Sequence, residues 1–360
     1  MTARIRRAAA ELLRFPLSGP TGGSGITAVD VVVVDLEDEA GVAGTGFSYV
    51  LGGGGATVCA AARDLLDRFV AGQPALPPAA LWRRLAGSLN RLGRGTGYLA
   101  IAAIDVAAWD SHSKAMGVPL YAALGGAART VPVYGSGGFG PTQAPEAAAE
   151  RARAYVAMGC KAVKPRVAGA PADAARLRAV RDAVPPGIDV MADANEKCDL
   201  ARAQWLAGVC ADHGLLWLEE PLPAADPNGY AALAKNCPVA IATGEHHQGA
   251  VELAPLLEAR AVAVVQPDLA MVGGITESLR VATIAEHYGL CVAPHFLPAL
   301  YVHLAAAAPA VRWLEHFPLL EPLFDRPADL DSNGEIAPPE TPGHGLAWAD
   351  GARKAFRVPD

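Results

Sequence analysis

From Val131 onward the chain alternates short β-branched or apolar runs with amphipathic stretches of about 10 to 15 residues. The runs fall at 131–134, 162–164, 188–191, 215–218, 239–242, 261–265, 290–292 and 311–314. Parallel strands need a crossover between them, and a helix supplies it, so eight such units predict a parallel (β/α) barrel. The competing architecture is an open doubly wound sheet. It loses its usual support here, because no G-x-G-x-x-G follows the first strand.

The segment before this alternation reads differently. Runs at 29–36 and 42–47 flank the acidic turn Glu37-Asp38-Glu39-Ala40-Gly41, a pattern that predicts a hairpin or meander. Helices are predicted at 56–70, at 78–89 with Pro78 in the first turn, and at 98–114. Residues 1–128 therefore read as an α+β capping domain, 129–320 as the barrel, and 321–360 as a Pro- and Gly-rich segment returning over the surface to the cap. Glycine-rich stretches at 19–25 and 52–55 mark loops. A chain of 360 residues suits one large barrel with a smaller companion.

Several classes of function are excluded at this level. No apolar run approaches the roughly 18 residues of a membrane span. The net charge of −7 comes from dispersed carboxylates with no basic block, which argues against nucleic acid as a partner. Six cysteines (Cys59, Cys160, Cys198, Cys210, Cys237, Cys291) show neither C-x-x-C nor zinc-ligand spacing, so they read as reduced and mostly buried. Arg4, Arg6 and Arg7 ahead of three alanines faintly suggest a leader, but Glu11 and Arg14 interrupt its apolar part. The expectation is a cytoplasmic protein acting on a small molecule.

Barrels of this kind assemble their active sites at the C-terminal ends of the strands. Here those ends read Lys164-Pro165-Arg166, Asp193-Ala194-Asn195, Glu219-Glu220-Pro221, Gly244-Glu245-His246, Gln266-Pro267-Asp268, Pro294-His295 and Glu315. Asp193, Glu219 and Glu245 would bring three hard oxygen ligands to one mouth, which suits Mg²⁺. Left bare, the three charges would repel one another, so the cation follows from the carboxylates. Taken singly, Asp193 or Asp268 would be better read as a helix N-cap, and His295 as a loop histidine.

Jointly, K-x-R, D-A-N, E-E-P, G-E-H, Q-P-D with the following Gly273-Gly274-Ile275-Thr276, then P-H-F and L-E-H, resemble the mandelate racemase subgroup of the enolase superfamily. The resemblance extends to Ile104-Asp105-Val106-Ala107-Ala108-Trp109-Asp110 in the first domain. It implies a modified TIM barrel, (β/α)7β, under an N-terminal α+β cap, with one Mg²⁺ on Asp193, Glu219 and Glu245. It further implies that Lys164 and Glu315 help hold a substrate carboxylate, that Asp268 orients His295 as general base or acid, and that the protein forms dimers or octamers. Carboxylate α-protons are very weakly acidic, so such sites concentrate positive charge on the developing enediolate; the use of a Lys or His base with Mg²⁺ in this superfamily is an established pattern.

One position departs from the racemase pattern. Racemases of the subgroup carry K-x-K, with the second lysine as a base on the face opposite the His-Asp pair; here Arg166 stands there. A guanidinium surrenders its proton only near pH ~12.5–13.8, so deprotonation at neutral pH costs roughly 7–9 kcal/mol, and arginine is a poor base. A one-base dehydration of an acid sugar, aldonate or aldarate, fits better, with Arg166 free to hold a distal carboxylate or hydroxyl. Racemisation, epimerisation and cycloisomerisation of a sugar lactone are the alternatives within the subgroup, and a non-catalytic barrel binding a carboxylate through metal is the alternative outside it. Asn195, His246, Ser136 and Tyr49 are candidate substrate contacts, and His344 a turn residue. His112, His213, His287 and His303 fall in helical stretches with no partner evident in the sequence.

Overall fold

Strands β1 (Ile5–Pro16), β2 (Ala28–Asp38) and β3 (Ala43–Leu51) form an antiparallel meander with β2 in the middle. The valine run of β2 is buried throughout, and the period-two alternation explains why one strand can carry it. Val29, Val31 and Val33 join the large core that extends into the barrel, whereas Val32, Val34 and Leu36 join the core beneath the cap's own helices. Those helices are α1 (Gly55–Phe69), α2 (Pro78–Ser88) and α3 (Gly95–Met116). The computed structural model describes residues 3–17, 25–91, 93–325 and 329–359, so most of the glycine-rich stretch 19–25 lies outside the described residues.

Helix α3 lies directly on β3. At Gly46 an added Cβ would sit 2.2 Å from the Ala107 backbone nitrogen, so only glycine facing alanine lets the two backbones approach this closely. The predicted helices are present with ends shifted by no more than three residues. β1 is a strand that the sequence analysis did not anticipate. Its sequence, IRRAAAELLRFP, is poor in β-branched residues, and it is held by eleven paired positions along β2 rather than by propensity.

The barrel strands are β4 (Val131–Gly135), β5 (Ala162–Val163), β6 (Asp189–Val190), β7 (Ala192–Asp193), β8 (Trp217–Glu219), β9 (Ala240–Thr243), β10 (Val264–Val265), β11 (Cys291–Val292) and β12 (Leu314–His316). β6 falls within the run predicted at 188–191, and β7 continues the strand beyond Met191, outside that run. All neighbours pair in parallel, in two arcs: β12-β4-β5-β6 and β7-β8-β9-β10-β11. Single bridges between Arg166 and Asp193, and between Val292 and Val311, join the arcs into a ring. The runs at 215–218 and 311–314 begin earlier than the observed strands. Leu215 and Val311, which open these runs, are buried on the approach to the strands, and Val311 also makes the bridge to Val292.

Tyr134, Ala162, Met191, Trp217, Ala242, Val264 and Ala293 fill the barrel interior as one buried cluster. The C-terminal segment adds a two-residue strand, β13 (Glu335–Ile336), antiparallel to β4. It then reaches the cap, where Phe356 meets Phe15 edge-on and Arg353 pairs with Glu11 and Asp35. No helix among the described residues is long and apolar enough to cross a membrane.

Candidate functional site

Alternation along each strand selects the side chains that face the mouth. Two residues beyond the interior cluster members stand Ser136 after Tyr134, Lys164 after Ala162, Asp193 after Met191, Glu219 after Trp217, Gln266 after Val264 and His295 after Ala293, with Glu315 likewise two beyond Trp313. In β9 the equivalent position is Gly244. Its φ of 145° and the Gln266 backbone, 2.9 Å from where a Cβ would sit, admit no other residue, and the chain turns there to present Glu245.

A carboxylate-rich cluster results. Lys164 is buried, hydrogen-bonded to Glu219, 2.9 Å from Glu315 Oε1 and 4.0 Å from Asp193 Oδ2, with its ammonium 5.2 Å from the centre of the Tyr134 ring. Glu219 Oε2 also accepts from Gln266 Nε2 at 2.6 Å and Trp217 Nε1 at 3.2 Å. Burial, opposed by Lys164 and reinforced by Asp193, Glu245 and Glu315, pushes the Glu219 carboxyl up to about 8. For Glu315, burial works in the same direction, but Lys164, His295 and a hydrogen bond from Ser136 outweigh it and hold the carboxyl at about 2. Arg166 Nε lies 3.8 Å from Asp193 Oδ2, and its guanidinium 5.8 Å from the Phe317 ring centre.

On the other side of the mouth, His295 Nδ1 is 2.8 Å from Asp268 Oδ2 and His295 Nε2 is 3.9 Å from Glu245 Oε2. Burial would lower the imidazole's pKa, yet Glu245, the Asp268 hydrogen bond and Glu315 carry it up to about 10. Asp268 also accepts from the Met271 amide at 2.9 Å, so it is a helix cap and a histidine partner at once. A cavity of about 240 Å³ opens beside this pair, lined by Tyr49, Leu51 and Leu99 from the cap and by Glu245, His246 and Met271 from the barrel.

Residues 147–352 match the family described as enolase C-terminal domain-like, and residues 12–125 match the N-terminal domain of mandelate racemases and muconate lactonizing enzymes. The chain belongs to the mandelate racemase/muconate lactonizing enzyme family. It is 33% identical to the L-talarate/galactarate dehydratase of Salmonella typhimurium over 91% of its own length and 83% of the relative's. It is 30% identical to the D-galactarolactone cycloisomerase of Agrobacterium fabrum, covering 91% of this chain and 92% of that one. The crystal structure of L-talarate dehydratase from a Polaromonas species, complexed with Mg and L-glucarate, superposes with a TM-score of 0.91 at 35% identity, over 99% of this chain and 98% of that chain.

In this family member, all four candidate substrate contacts are engaged by protein groups. Asn195 donates from Nδ2 to Asp193 Oδ2 at 3.1 Å and from its backbone to Oδ1 at 2.9 Å, with its own Oδ1 buried and unpartnered. The Ser136 hydroxyl bonds Glu315, and the Tyr49 hydroxyl bonds Asp268. His246 lines the cavity, but its Nδ1 lies 2.8 Å from buried Glu220, whose hydrogen bond raises the imidazole to about 9. Glu196 and Trp217 were not singled out from the sequence, and Glu220 and Gln266 were named only within strand-end motifs, with no role of their own. Gln266 and Trp217 stand on the same alternation as their catalytic-side neighbours, so the signal was available. Glu220 and Glu196 lie off that alternation, at φ values of 40° and 61°, so strand periodicity does not point to them.

The set whose ligand atoms all lie within 4.8 Å of one another is Glu196, Glu220 and His246; Asp193, Glu219 and Glu245 form no such group among the described residues. Lys164 reaches in toward the first two and binds Glu219. The backbones are nonetheless adjacent: Asp193 pairs in register with Glu219, and Glu219 with Ala242, three residues before Glu245. Asp193, Glu219, Glu245 and Glu315 therefore gather around one ammonium, that of Lys164, with the Arg166 guanidinium beside Asp193. A divalent cation fits that donor set by charge and by oxygen chemistry, since the carboxylates there outnumber the cationic groups.

Proposed function

We propose that the protein is a Mg²⁺-dependent dehydratase of an acid sugar, an aldonate or aldarate, removing the proton next to a carboxylate and expelling the β-hydroxyl as water. The observation that carries this reading is a single histidine–aspartate pair on one side of the mouth facing Arg166, not lysine, on the other. Asp193, Glu219 and Glu245 would hold the cation, which when bound supplies charge against the enediolate's developing negative oxygens. Lys164 adds its fixed positive charge to the same carboxylate end. His295 Nε2 takes the α-proton while Asp268 keeps Nδ1–H in place and balances the imidazolium. The imidazolium then returns that proton to the departing β-oxygen, so one group serves both steps and the enol product relaxes to a 2-keto-3-deoxy acid.

Charge neutralisation on Glu245 would also remove the largest influence that keeps His295 protonated, bringing the imidazole toward the range of a working base. Arg166 is suited to a bidentate grip on a second carboxylate, which favours a diacid. The dehydratase relatives support elimination, and the cycloisomerase relative keeps lactone opening as the second reading. The reading places the enzyme in the cytoplasm as a homo-oligomer; its six cysteines, none of them in a disulfide, suit a reducing compartment.

The test is a panel of mono- and diacid sugars incubated with Mg²⁺ in D₂O. Formation of a 2-keto-3-deoxy acid, abolished in His295→Asn, is the expected result. Deuterium entering both faces of one substrate's α-carbon would overturn the one-base mechanism, and ligand binding without any exchange would identify a non-catalytic barrel.

A further inference from the structure

We infer that Tyr49, delivered to the barrel mouth by the cap, is a positioning residue for the Asp268–His295 pair rather than a substrate contact; this rests on the reading of His295 as the base. Tyr49 sits on β3, 5% exposed, with its ring edge-on to Phe296 at 5.0 Å between centroids. Its hydroxyl donates to Asp268 Oδ2, the oxygen that also receives His295 Nδ1–H, and lies 3.5 Å from that nitrogen. Asp268 Oδ1 is taken by the Met271 amide. Three donors from three segments thus meet on one carboxylate.

An aspartate's terminal torsion is broad and two-fold, so the Met271 amide alone leaves Oδ2 able to swing away from the imidazole. The phenol closes that freedom. Burial and the neighbouring Asp268 push the phenol well above its ordinary pKa, so it stays a donor throughout the working range. Phe296, against which the Tyr49 ring packs, donates its amide to Glu315 Oε2 at 2.8 Å and has a φ of 57°, a conformation that needs outside support. The cap therefore braces both the base's partner and the residue that follows the base. Proton abstraction depends on the cap being docked, although no cap residue exchanges a proton with substrate.

Tyr49→Phe keeps the ring and deletes the hydroxyl. We expect kcat to fall about ten- to a hundredfold, as for other groups that orient a catalytic imidazole, with KM within about twofold of wild type. In an Asp268→Asn background the same substitution should have almost no further effect, because the group it orients is already altered. A substrate-free readout is the His295 Nδ1–H proton resonance in selectively ¹⁵N-histidine-labelled protein, assigned by its loss in His295→Asn; Tyr49→Phe should shift or broaden it. A raised KM with unchanged kcat, full additivity with Asp268→Asn, or an unmoved resonance would each overturn the inference. If the resonance moves while no acid sugar is turned over, Tyr49 keeps this role and the dehydratase reading falls instead.

Discussion

Glu219 illustrates how one side chain carries several demands. It is fully buried, receives hydrogen bonds from Lys164, Gln266 and Trp217, and still sits among three further carboxylates. Such a group tolerates ionisation only if more positive charge arrives. Mg²⁺ should therefore raise the melting temperature of the wild type, and at a hundredfold excess over Kd the stabilisation is about 2.7 kcal/mol. Glu219→Gln retains the shape but not the charge, and thermal unfolding should show the Mg²⁺-dependent rise lost. An equal response of both proteins at the same Mg²⁺ concentration would remove Glu219 from the ligand set. Backbone strain gathers at the same place: among the described residues, five of the six non-glycine positions with positive φ (Asn195, Glu196, Glu220, Phe296, Leu297) lie in the loops that follow barrel strands. At ~1–3 kcal/mol each, such conformations persist where the surroundings hold them for function.

Among the elements, the junction of α3 with the helix Ile275–His287 gives the Gly273-Gly274-Ile275-Thr276 motif a physical role. Asp105 accepts from the Thr276 amide at 2.8 Å and hydroxyl at 2.7 Å, capping a barrel helix from the other domain, while Trp109 Nε1 donates to the same hydroxyl at 2.8 Å and Trp82 Nε1 to the Gly273 carbonyl at 2.7 Å. A Cβ on Gly274 would lie 2.6 Å from Asp105 Oδ2, at a φ of 105°. Gly274→Ala should cost about 2–4 kcal/mol in urea unfolding through overpacking and backbone strain together. A loss below half a kcal/mol would mean that the contact yields freely. The motif was legible as a turn opening a helix, but its partner, 171 residues away, was not. β1 was missed for a related reason: its alanines and arginines favour no strand, and only pairing with β2 makes it one.

Across the whole molecule, His303 ties three distant segments together. From a barrel helix it accepts the Tyr121 amide on Nδ1 at 3.2 Å, and its Nε2 lies 3.1 Å from the His344 carbonyl in the C-terminal segment. It can serve both partners only as the neutral imidazole. Burial, against the His344 carbonyl's opposing pull, lowers its pKa to about 4 from an ordinary 6.5. The unfolded chain therefore takes up a proton before the folded one does. The stability from this difference is complete above about pH 6.5 and disappears as pH falls through about 4, up to about 3 kcal/mol. Urea unfolding at pH 7 and pH 4.5 should show a smaller acid-induced loss in His303→Gln than in wild type. Identical losses would mean that the buried imidazole does not govern acid sensitivity.

Much of this protein was legible in one dimension. Alternating strand and helix periods announced the barrel, and period two within each strand placed Lys164, Asp193, Glu219 and Glu315 at its mouth, because a strand must send every second side chain the same way. The contacts of Tyr49, Glu220 and His303 depended on which surfaces met. Their partners lie on other strands, in the other domain or in the C-terminal segment, and local propensity carries no information about contacts made only when the cap closes on the barrel. Folding alone decided that Tyr49 of the capping strand would meet the Asp268–His295 pair.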